Sequence, residues 1–395
     1  MIIIKNGALV TPQGLRRADL AMDGDKIVRI AAAIEPGADD TVEDAAGCWV
    51  FPGFIDGHTH MQCWTGMDWT ADSFETGTRA AACGGTTSTQ SGSFTIEDQS
   101  GRSVSFEQPA QTAASGYYIA TTSLIGLGCE DALVGVEMKA DTRKIYSAAA
   151  PQILELPGLG NKKSFNVEEC AAADPDVVFL PIALKDYVSQ LEELDMKVVL
   201  LNPETKESYD EAIEIIAKVM GKEDRAQEYF EYREKLLKNN IQEQSDKKRV
   251  YFAGSDILEA AGNNMFQSEL IRDAQGEYVM ADQLAEAANW QNINVEELIK
   301  ADPEYIFIEQ GGPSAEDVLN DPALSEITAV KNKQVYVFPS EYETWDTPNL
   351  SSCLGTLWMY AILYPDALSL DQVAQQANDF YQKFYDFDAK LSFES

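Results

Sequence analysis

Histidine is nearly absent: His58 and His60 are the only two in 395 residues. Any site that needs three or four imidazoles is therefore excluded, as is a histidine general base anywhere outside that pair. Cations are scarce as well, with 30 Lys and Arg against 65 Asp and Glu and a formal charge of -35. So acidic a surface repels phosphate, no basic stripe offsets it, and nucleic acid is excluded as a partner. The six cysteines, Cys48, Cys63, Cys83, Cys129, Cys170 and Cys353, are scattered with no C-x-x-C pair and no zinc spacing. They read as buried thiols, Cys83 being a separate case. No apolar run reaches the roughly 18 residues that span a bilayer. No nucleophile elbow, P-loop or H-E-x-x-H occurs, and no His or carboxylate set after residue 93 has the ligand spacing for a bare metal ion.

What is present is a duplicated unit. Asn166-Val167-Glu168-Glu169 is followed by Ala173-Asp174-Pro175-Asp176 and the apolar run Val177 to Leu180; Asn294-Val295-Glu296-Glu297 is followed by Ala301-Asp302-Pro303-Glu304 and the run Tyr305 to Ile308. Each copy predicts a short helix, a turn in which Pro stops the helix, and a buried strand. Between the copies, Lys206 to Asn240 predicts a helical connector, and Gly221 divides it into helices of roughly Ser208 to Met220 and Asp224 to Asn239. Two α/β lobes joined by this connector, with a cleft between them, is the simplest architecture that fits.

The first ninety residues have another character. Ile2 to Ile4, Ala8 to Val10, Ala18 to Met22 and Lys26 to Ile30 predict short strands separated by turns at Asn6-Gly7 and Asp23-Gly24. Then comes Val50-Phe51-Pro52-Gly53-Phe54-Ile55-Asp56-Gly57-His58-Thr59-His60, with Phe74 to Ala82 and Gly84-Gly85-Thr86-Thr87 beyond it. These residues resemble the start of a cyclic amidohydrolase of the dihydropyrimidinase and hydantoinase type, over residues 1 to 87. The resemblance implies a small β-sandwich, the first strand and helix of a (β/α)8 barrel, and His58 and His60 as metal ligands. It also implies two further histidines, a carboxylated lysine and an aspartate from later strands. The histidines do not exist in this chain, so the expected metal site is vestigial and unoccupied and no catalytic residue is assigned.

Thr86-Thr87-Ser88-Thr89-Gln90-Ser91-Gly92-Ser93 predicts a flexible tether. Before it, Ala80-Ala81-Ala82-Cys83-Gly84-Gly85 resembles a bacterial lipoprotein processing site, which would make Cys83 a lipidated residue. No basic start with an apolar core precedes Cys83, so the chain as written carries no export signal. Residues 1–82 read as a foreign head in place of a signal peptide; a genuine bifunctional protein is the alternative.

From Phe94 onward the expected order is a hairpin around Ser100-Gly101, strands at Thr112 to Gly116, Ala132 to Val136 and Lys197 to Leu201, the connector, then strands at Arg249 to Ala253 and Gln334 to Phe338 and a helix at Ser352 to Leu363. Asp98-Gln99-Ser100-Gly101-Arg102, Leu124 to Gly128 with Val134-Gly135-Val136, both Asn-Val-Glu units, Leu324 to Phe338, and Gly355-Thr356-Leu357-Trp358 with Tyr364-Pro365 carry a second resemblance. Over about residues 93 to 388 the chain is similar to the extracytoplasmic substrate-binding proteins of ABC importers, of the helical-backbone class that serves ferric siderophores, haem and cobalamin. The fold so implied is α/β, with two Rossmann-like lobes (94–203 and 246–395) on a long helical connector (204–245), the class III periplasmic-binding-protein fold, after the truncated head (1–82) and tether (83–93).

In such a fold the ligand sits at the C-terminal ends of the strands. Tyr117, Tyr118, Lys139, Arg143, Tyr146 and Lys185 are the candidates from the first lobe; Asn263, Asn264, Met265, Gln310, Glu341, Tyr342 and Trp345 are those from the second. The aromatics would offer flat faces to a macrocycle or catechol, and the cations would neutralise an anionic chelate. Glu168 and Glu296 occupy equivalent places, where the resemblance implies carboxylates that meet arginines of a two-subunit permease; the plain reading of each is a helix N-terminal glutamate. The expectation is thus a monomeric binding protein, not an enzyme, with no intrinsic cofactor, which hands a metal chelate to an ABC permease from an extracytoplasmic, lipid-anchored or periplasmic position. A cyclic amidohydrolase is the alternative, and a sensor or adhesion domain in the same fold is a third.

Overall fold

The computed structural model describes residues 1–11, 14–23, 26–37, 40–51, 54–59, 79, 86–91, 93–161 and 163–393. Its packing divides into two compact units, residues 1–94 and 95–395.

The first unit is built of short strands: β1 (Ile2–Lys5), β2 (Ala8–Thr11), β3 (Gly14–Arg17), β4 (Asp19–Asp23), β5 (Lys26–Ala31), β6 (Thr41–Asp44), β7 (Trp49–Val50), β8 (Phe54–Thr59) and β9 (Thr86–Ser91). They form one sheet in the order β5-β4-β1-β6, a second in the order β3-β2-β7, and the parallel pair β8-β9. Two small apolar clusters hold the unit, Ile3 with Ala21 and Ile34, and Leu9 with Ala18 and Leu20. Elements this short cannot cover their apolar side chains: Met1, Ile2, Leu15, Ile27, Val28, Ile30, Val42, Trp49 and Phe51 are all exposed. The segment expected to be a tether is corrected in part, since Thr86–Ser91 is a strand. Threonine's branched Cβ favours the extended backbone, and β8 supplies the partner that the composition could not reveal. His58 lies in β8; His60 and Cys83 fall outside the described residues.

The second unit begins with the hairpin β10 (Phe94–Glu97) and β11 (Ser103–Phe106). The buried Asp98 carboxylate closes its turn by accepting from the Ser100 and Arg102 amides, each at 3.0 Å. The first lobe follows with β12 (Ala113–Ser115), α1 (Tyr118–Gly126), β13 (Leu133–Gly135), α2 (Lys144–Ala149), the small pair β14 (Gly160–Asn161) and β15 (Ser164–Phe165), α3 (Val167–Ala173), β16 (Val177–Pro181), α4 (Val188–Glu192) and β17 (Lys197–Leu201). Its sheet is wholly parallel, in the order β13-β12-β16-β17, so every strand ends on the same edge. The connector is α5 (Lys206–Met220) and α6 (Glu223–Asn240), divided at Gly221 with φ 65°. The second lobe holds β18 (Arg249–Ala253), β19 (Glu259–Ala260), α7 (Phe266–Asp273), β20 (Glu277–Tyr278), β21 (Gln291–Asn292), α8 (Val295–Ala301), β22 (Tyr305–Ile308), α9 (Ala315–Asn320), α10 (Thr328–Lys331), β23 (Val335–Val337), α11 (Ser352–Leu363) and α12 (Leu370–Tyr385). Here β18, β22 and β23 run parallel, β20 pairs parallel with β18, and β19 pairs antiparallel with both β18 and β21.

The two repeat units fold alike for local reasons. Asn166 caps α3 by accepting from the Glu169 amide at 3.2 Å, and Asn294 caps α8 from the Glu297 amide at 2.9 Å. Each helix ends on an aspartate in the left-handed region, Asp174 with φ 49° and Asp302 with φ 40°, one residue before the proline. The aspartate thus ends the helix and the proline only follows it.

α1 fixes the lobes to one another. It carries almost no charged surface and is buried from Ile119 to Gly126. Ser123 bonds the Tyr209 hydroxyl of α5 at 3.1 Å, and a Cβ on Gly126 would lie 2.5 Å from Leu350 of the second lobe. On the connector, the Arg233 guanidinium forks onto Asp210 at 2.5 and 2.6 Å, and the Tyr229 hydroxyl donates to the Leu350 carbonyl at 3.1 Å. We predict that Gly126→Val, which forces α1 away from Leu350, lowers stability by about 1–3 kcal/mol in thermal melts. Small-angle scattering should show only slight contraction when ligand is added, because packed helices resist the bending that open strand hinges allow.

Candidate functional site

Every strand of the first lobe's parallel sheet delivers its C-terminal end to one edge, and β12 supplies the central turn. Gly116 is required there, since a Cβ would meet Leu180 at 2.7 Å and Phe165 at 2.9 Å. Ser115 Oγ lies 3.0 Å from the Tyr117 carbonyl and 2.8 Å from the Thr121 hydroxyl, and these hydrogen bonds fix the turn into α1. Tyr117 and Tyr118 then stand edge to face, their ring centroids 6.0 Å apart. At the end of β13, the buried Glu137 carboxylate accepts from Thr121 at 2.7 Å, from the Tyr146 hydroxyl at 2.7 Å and from Arg143 Nε at 3.2 Å. That anchorage lays the Arg143 guanidinium 4.2 Å above the Tyr118 ring. Burial pushes the phenols of Tyr117 and Tyr146 well above their ordinary value and raises that of Tyr118, so all three remain neutral.

The second lobe answers with carboxylates. Tyr118 hydrogen-bonds Thr347, and Asp346 next to it is 1% exposed. One Asp346 oxygen, Oδ2, accepts from the Gln310 amide at the end of β22 at 3.2 Å; the other, Oδ1, is buried without a hydrogen-bond partner among the described residues. Gln267 pins the Asp346 carbonyl at 3.0 Å. Burial lifts the Asp346 carboxyl to about 6. It lifts Glu343, which accepts from Ser351 at 2.9 Å, to about 7. Glu309 also rises to about 7, through burial first and then through the negative charges of Asp346 and Glu259. Among the described residues none of Asp346, Glu343 and Glu309 has a Lys or Arg ion-pair partner. No cluster of three or more His, Cys, Asp or Glu among the described residues has the geometry to hold a bare metal ion.

The sequence-derived candidates therefore separate. Tyr117, Tyr118 and Arg143 gather where the strand ends of the two lobes meet, with Tyr146 directly behind them on Glu137. Gln310 joins them through the bond between its amide and Asp346. Lys139, in the left-handed region at φ 67°, and Lys185 are exposed. Glu341 takes an ion pair across the lobes from Lys144 at 2.9 Å, with both side chains mostly in solvent. Asn263 is held by Arg272 at 3.0 Å, Asn264 by the Ala285 carbonyl at 3.2 Å, and Met265 precedes α7. Trp345 and Tyr342 turn the other way: the Trp345 indole donates to Tyr381 at 2.9 Å, and the Tyr342 hydroxyl donates to the Ala389 carbonyl at 2.9 Å. Both line a separate groove of about 1000 Å³ beside β23, α11 and the C-terminal segment. The arrangement expected for an anionic ligand is altered in one respect, since Arg143 is already held by Glu137.

Glu137, Glu309, Glu343 and Asp346 were not candidates. Glu137 directly follows a predicted strand, a signal that was available; the others become distinctive only through burial. Glu168 and Glu296 are both exposed at the second position of matched helices. Cys129, Cys170 and Cys353 are buried, which pushes each thiol up to about 12 and leaves it unreactive. Among the described residues no helix is long and apolar enough to cross a membrane.

The sequence pattern of the family described as "Periplasmic binding protein" matches residues 114–342. The chain is 26% identical over 320 residues to the molybdate-binding protein MolA of Haemophilus influenzae, covering 73% of this chain and 90% of that protein. A solved structure of MolA bound to molybdate superposes with a TM-score of 0.63 at 24% identity over 76% of this chain and 99% of that one. A periplasmic solute-binding protein from Veillonella parvula gives 0.63 at 23% identity over 75% and 94% of the two chains. The likeness to solved structures is one of fold: two α/β lobes on a helical connector. Separately, an 86-residue stretch is 54% identical to a D-hydantoinase of Ralstonia pickettii, covering 22% of this chain and only 18% of that enzyme.

The Glu343 carboxyl, at about 7 against an ordinary 4.5, makes stability depend on pH. Because the folded state holds this proton more tightly than the unfolded chain, its contribution is complete below pH ~4.5 and is lost as pH rises toward ~7. Glu343→Gln removes that loss. Denaturant melts should show it more stable than the parent by about 2–3 kcal/mol at pH 8, with no difference at pH 4.5.

Proposed function

The chain belongs to the periplasmic binding protein family, and on that premise we propose that residues 95–395 capture a metal chelate between their lobes and deliver it to an ABC permease outside the cytoplasm. Members of this family bind small solutes and are not enzymes. The observation that carries the reading is the pair of exposed glutamates, Glu168 and Glu296, on helices equivalent down to cap, turn and strand. Two like-charged knobs in equivalent places suit a partner with two-fold symmetry, because each subunit can then offer the same cationic pocket. For the ligand, the support is a neutral, hydrogen-bonding aromatic pair, Tyr117 and Tyr118 set edge to face, with a fixed guanidinium over the Tyr118 ring. Such a pair suits a rigid complex of the siderophore, corrinoid or haem kind better than a bare ion. Anchorage through a lipid on Cys83 belongs to the same proposal.

A cyclic amidohydrolase is the less supported reading, because the chain spans less than a fifth of the hydantoinase it matches. The double variant Glu168→Arg, Glu296→Arg tests the leading one. It should bind ligand as the parent does, yet stimulate ATP hydrolysis by the reconstituted permease at least about tenfold less, the equivalent of ~1.4 kcal/mol of lost docking. Unchanged stimulation would remove these residues from the interface. Absorption and mass spectra of whatever co-purifies with the full chain should show a metal complex.

A further inference from the structure

We infer that the cleft selects a solute that presents positive charge or N–H donors to Asp346, and therefore a cationic complex in preference to an oxyanion. The inference rests on the reading that the solute is held where the strand ends of the two lobes meet. Asp346 stands at that junction, with the Gln310 amide of β22 on one oxygen and Tyr118 of the first lobe nearby. Its Oδ1 is buried and unpartnered. A buried carboxylate oxygen without a donor is costly, and native proteins leave one so only where something else completes it. No Lys or Arg among the described residues is ion-paired with Asp346. Arg143 is committed to Glu137 and to the face of Tyr118, Lys144 to Glu341, and Lys139 and Lys185 are exposed. The nearby charges add to the deficit, since Glu309 and Glu259 carry the same sign as Asp346, and the Glu309 carboxyl is raised by burial and then by Asp346 and Glu259. Among the described residues the Glu259 carboxylate accepts only from the amide and hydroxyl of Ser255. An oxyanion placed there would meet a row of uncompensated carboxylates. A cation would offset them and donate to Oδ1 at once.

The test uses the full chain and two probes, hexamminecobalt(III), an inert trication covered in N–H donors, and molybdate, each measured by equilibrium dialysis in 150 mM salt to screen the acidic surface. The expected result is one saturable hexamminecobalt(III) site per chain, weakened at least tenfold in Asp346→Asn and several-fold in the partly exposed Glu309→Gln, with no saturable molybdate binding. Matching melting curves for the parent and Glu309→Gln keep the result interpretable if Asp346→Asn folds poorly. Equal binding of the trication by parent and variants would mark it as adsorbed to the acidic surface and overturn the inference. Saturable molybdate binding would overturn it too, while leaving the solute-binding reading intact. Loss of permease dependence on Glu168 and Glu296 would instead count against delivery and leave the cleft's selectivity standing.

Discussion

The relation between the two lobes depends on burying one short helix. α1 has eight of its nine residues out of solvent, so its hydroxyl groups must find partners inside the protein. Ser123 back-bonds to the Ile119 carbonyl at 2.7 Å and meets Tyr209, while Thr121 bonds both Ser115 and Glu137. These bonds tie the helix to the strand end that precedes it, to the strand end that follows it and to the connector. Gly126 then admits Leu350 close enough that no side chain could stand between them. Preorganisation follows directly, because the tyrosine wall at one end of α1 and the interlobe contact at the other belong to a single rigid element. A solute entering such a site loses little free energy to ordering the protein, which favours tight capture of a rigid ligand.

The electrostatics of the second unit follow a division of labour. Arginines that reach a buried or half-buried carboxylate are already engaged: Arg233 forks onto Asp210, Arg102 gives one N–H to Asp98, and Arg143 gives its Nε–H to Glu137. The carboxylates of Glu343 and Asp346 are the exception. They are as deeply buried as those pairs, yet they rely on an amide or a hydroxyl, and burial raises their proton affinity into the neutral range. Structural ion pairs seldom leave such a residue of uncompensated charge, whereas binding sites often do.

Sequence reading succeeded where the determinants are local. The Asn caps, the Glu at the second helical position, the left-handed aspartates and the apolar strands all act within a dozen residues, so both repeat units were visible. Gly221 as the break in the connector was legible for the same reason. It failed where the outcome is decided across the lobes. Trp345 and Tyr342 carry the residue types expected of a ligand wall, but α12 and the C-terminal segment claim them first through Tyr381 and Ala389. Asp346, a plain loop aspartate by sequence, becomes conspicuous only once Gln267, Gln310 and Tyr118 surround it. Thr86–Ser91 looked like a tether because strand formation there needs β8, which lies nearly thirty residues away in sequence.

Family membership fixes the architecture and the mode of delivery, but it leaves the ligand open, and the reason is physical. The scaffold that aligns the lobes consists of helices and strands, whereas the groups that would touch a solute stand on turns at the strand ends, where substitution costs the fold little. MolA, named for binding molybdate, shares about a quarter of its residues with this chain. At that distance the turns are free to change sign of charge while α1, the connector and the paired helix–turn–strand units keep their places. An acidic lining around Asp346 is therefore compatible with the common fold, and it is the lining, not the fold, that decides which solutes the cleft can hold.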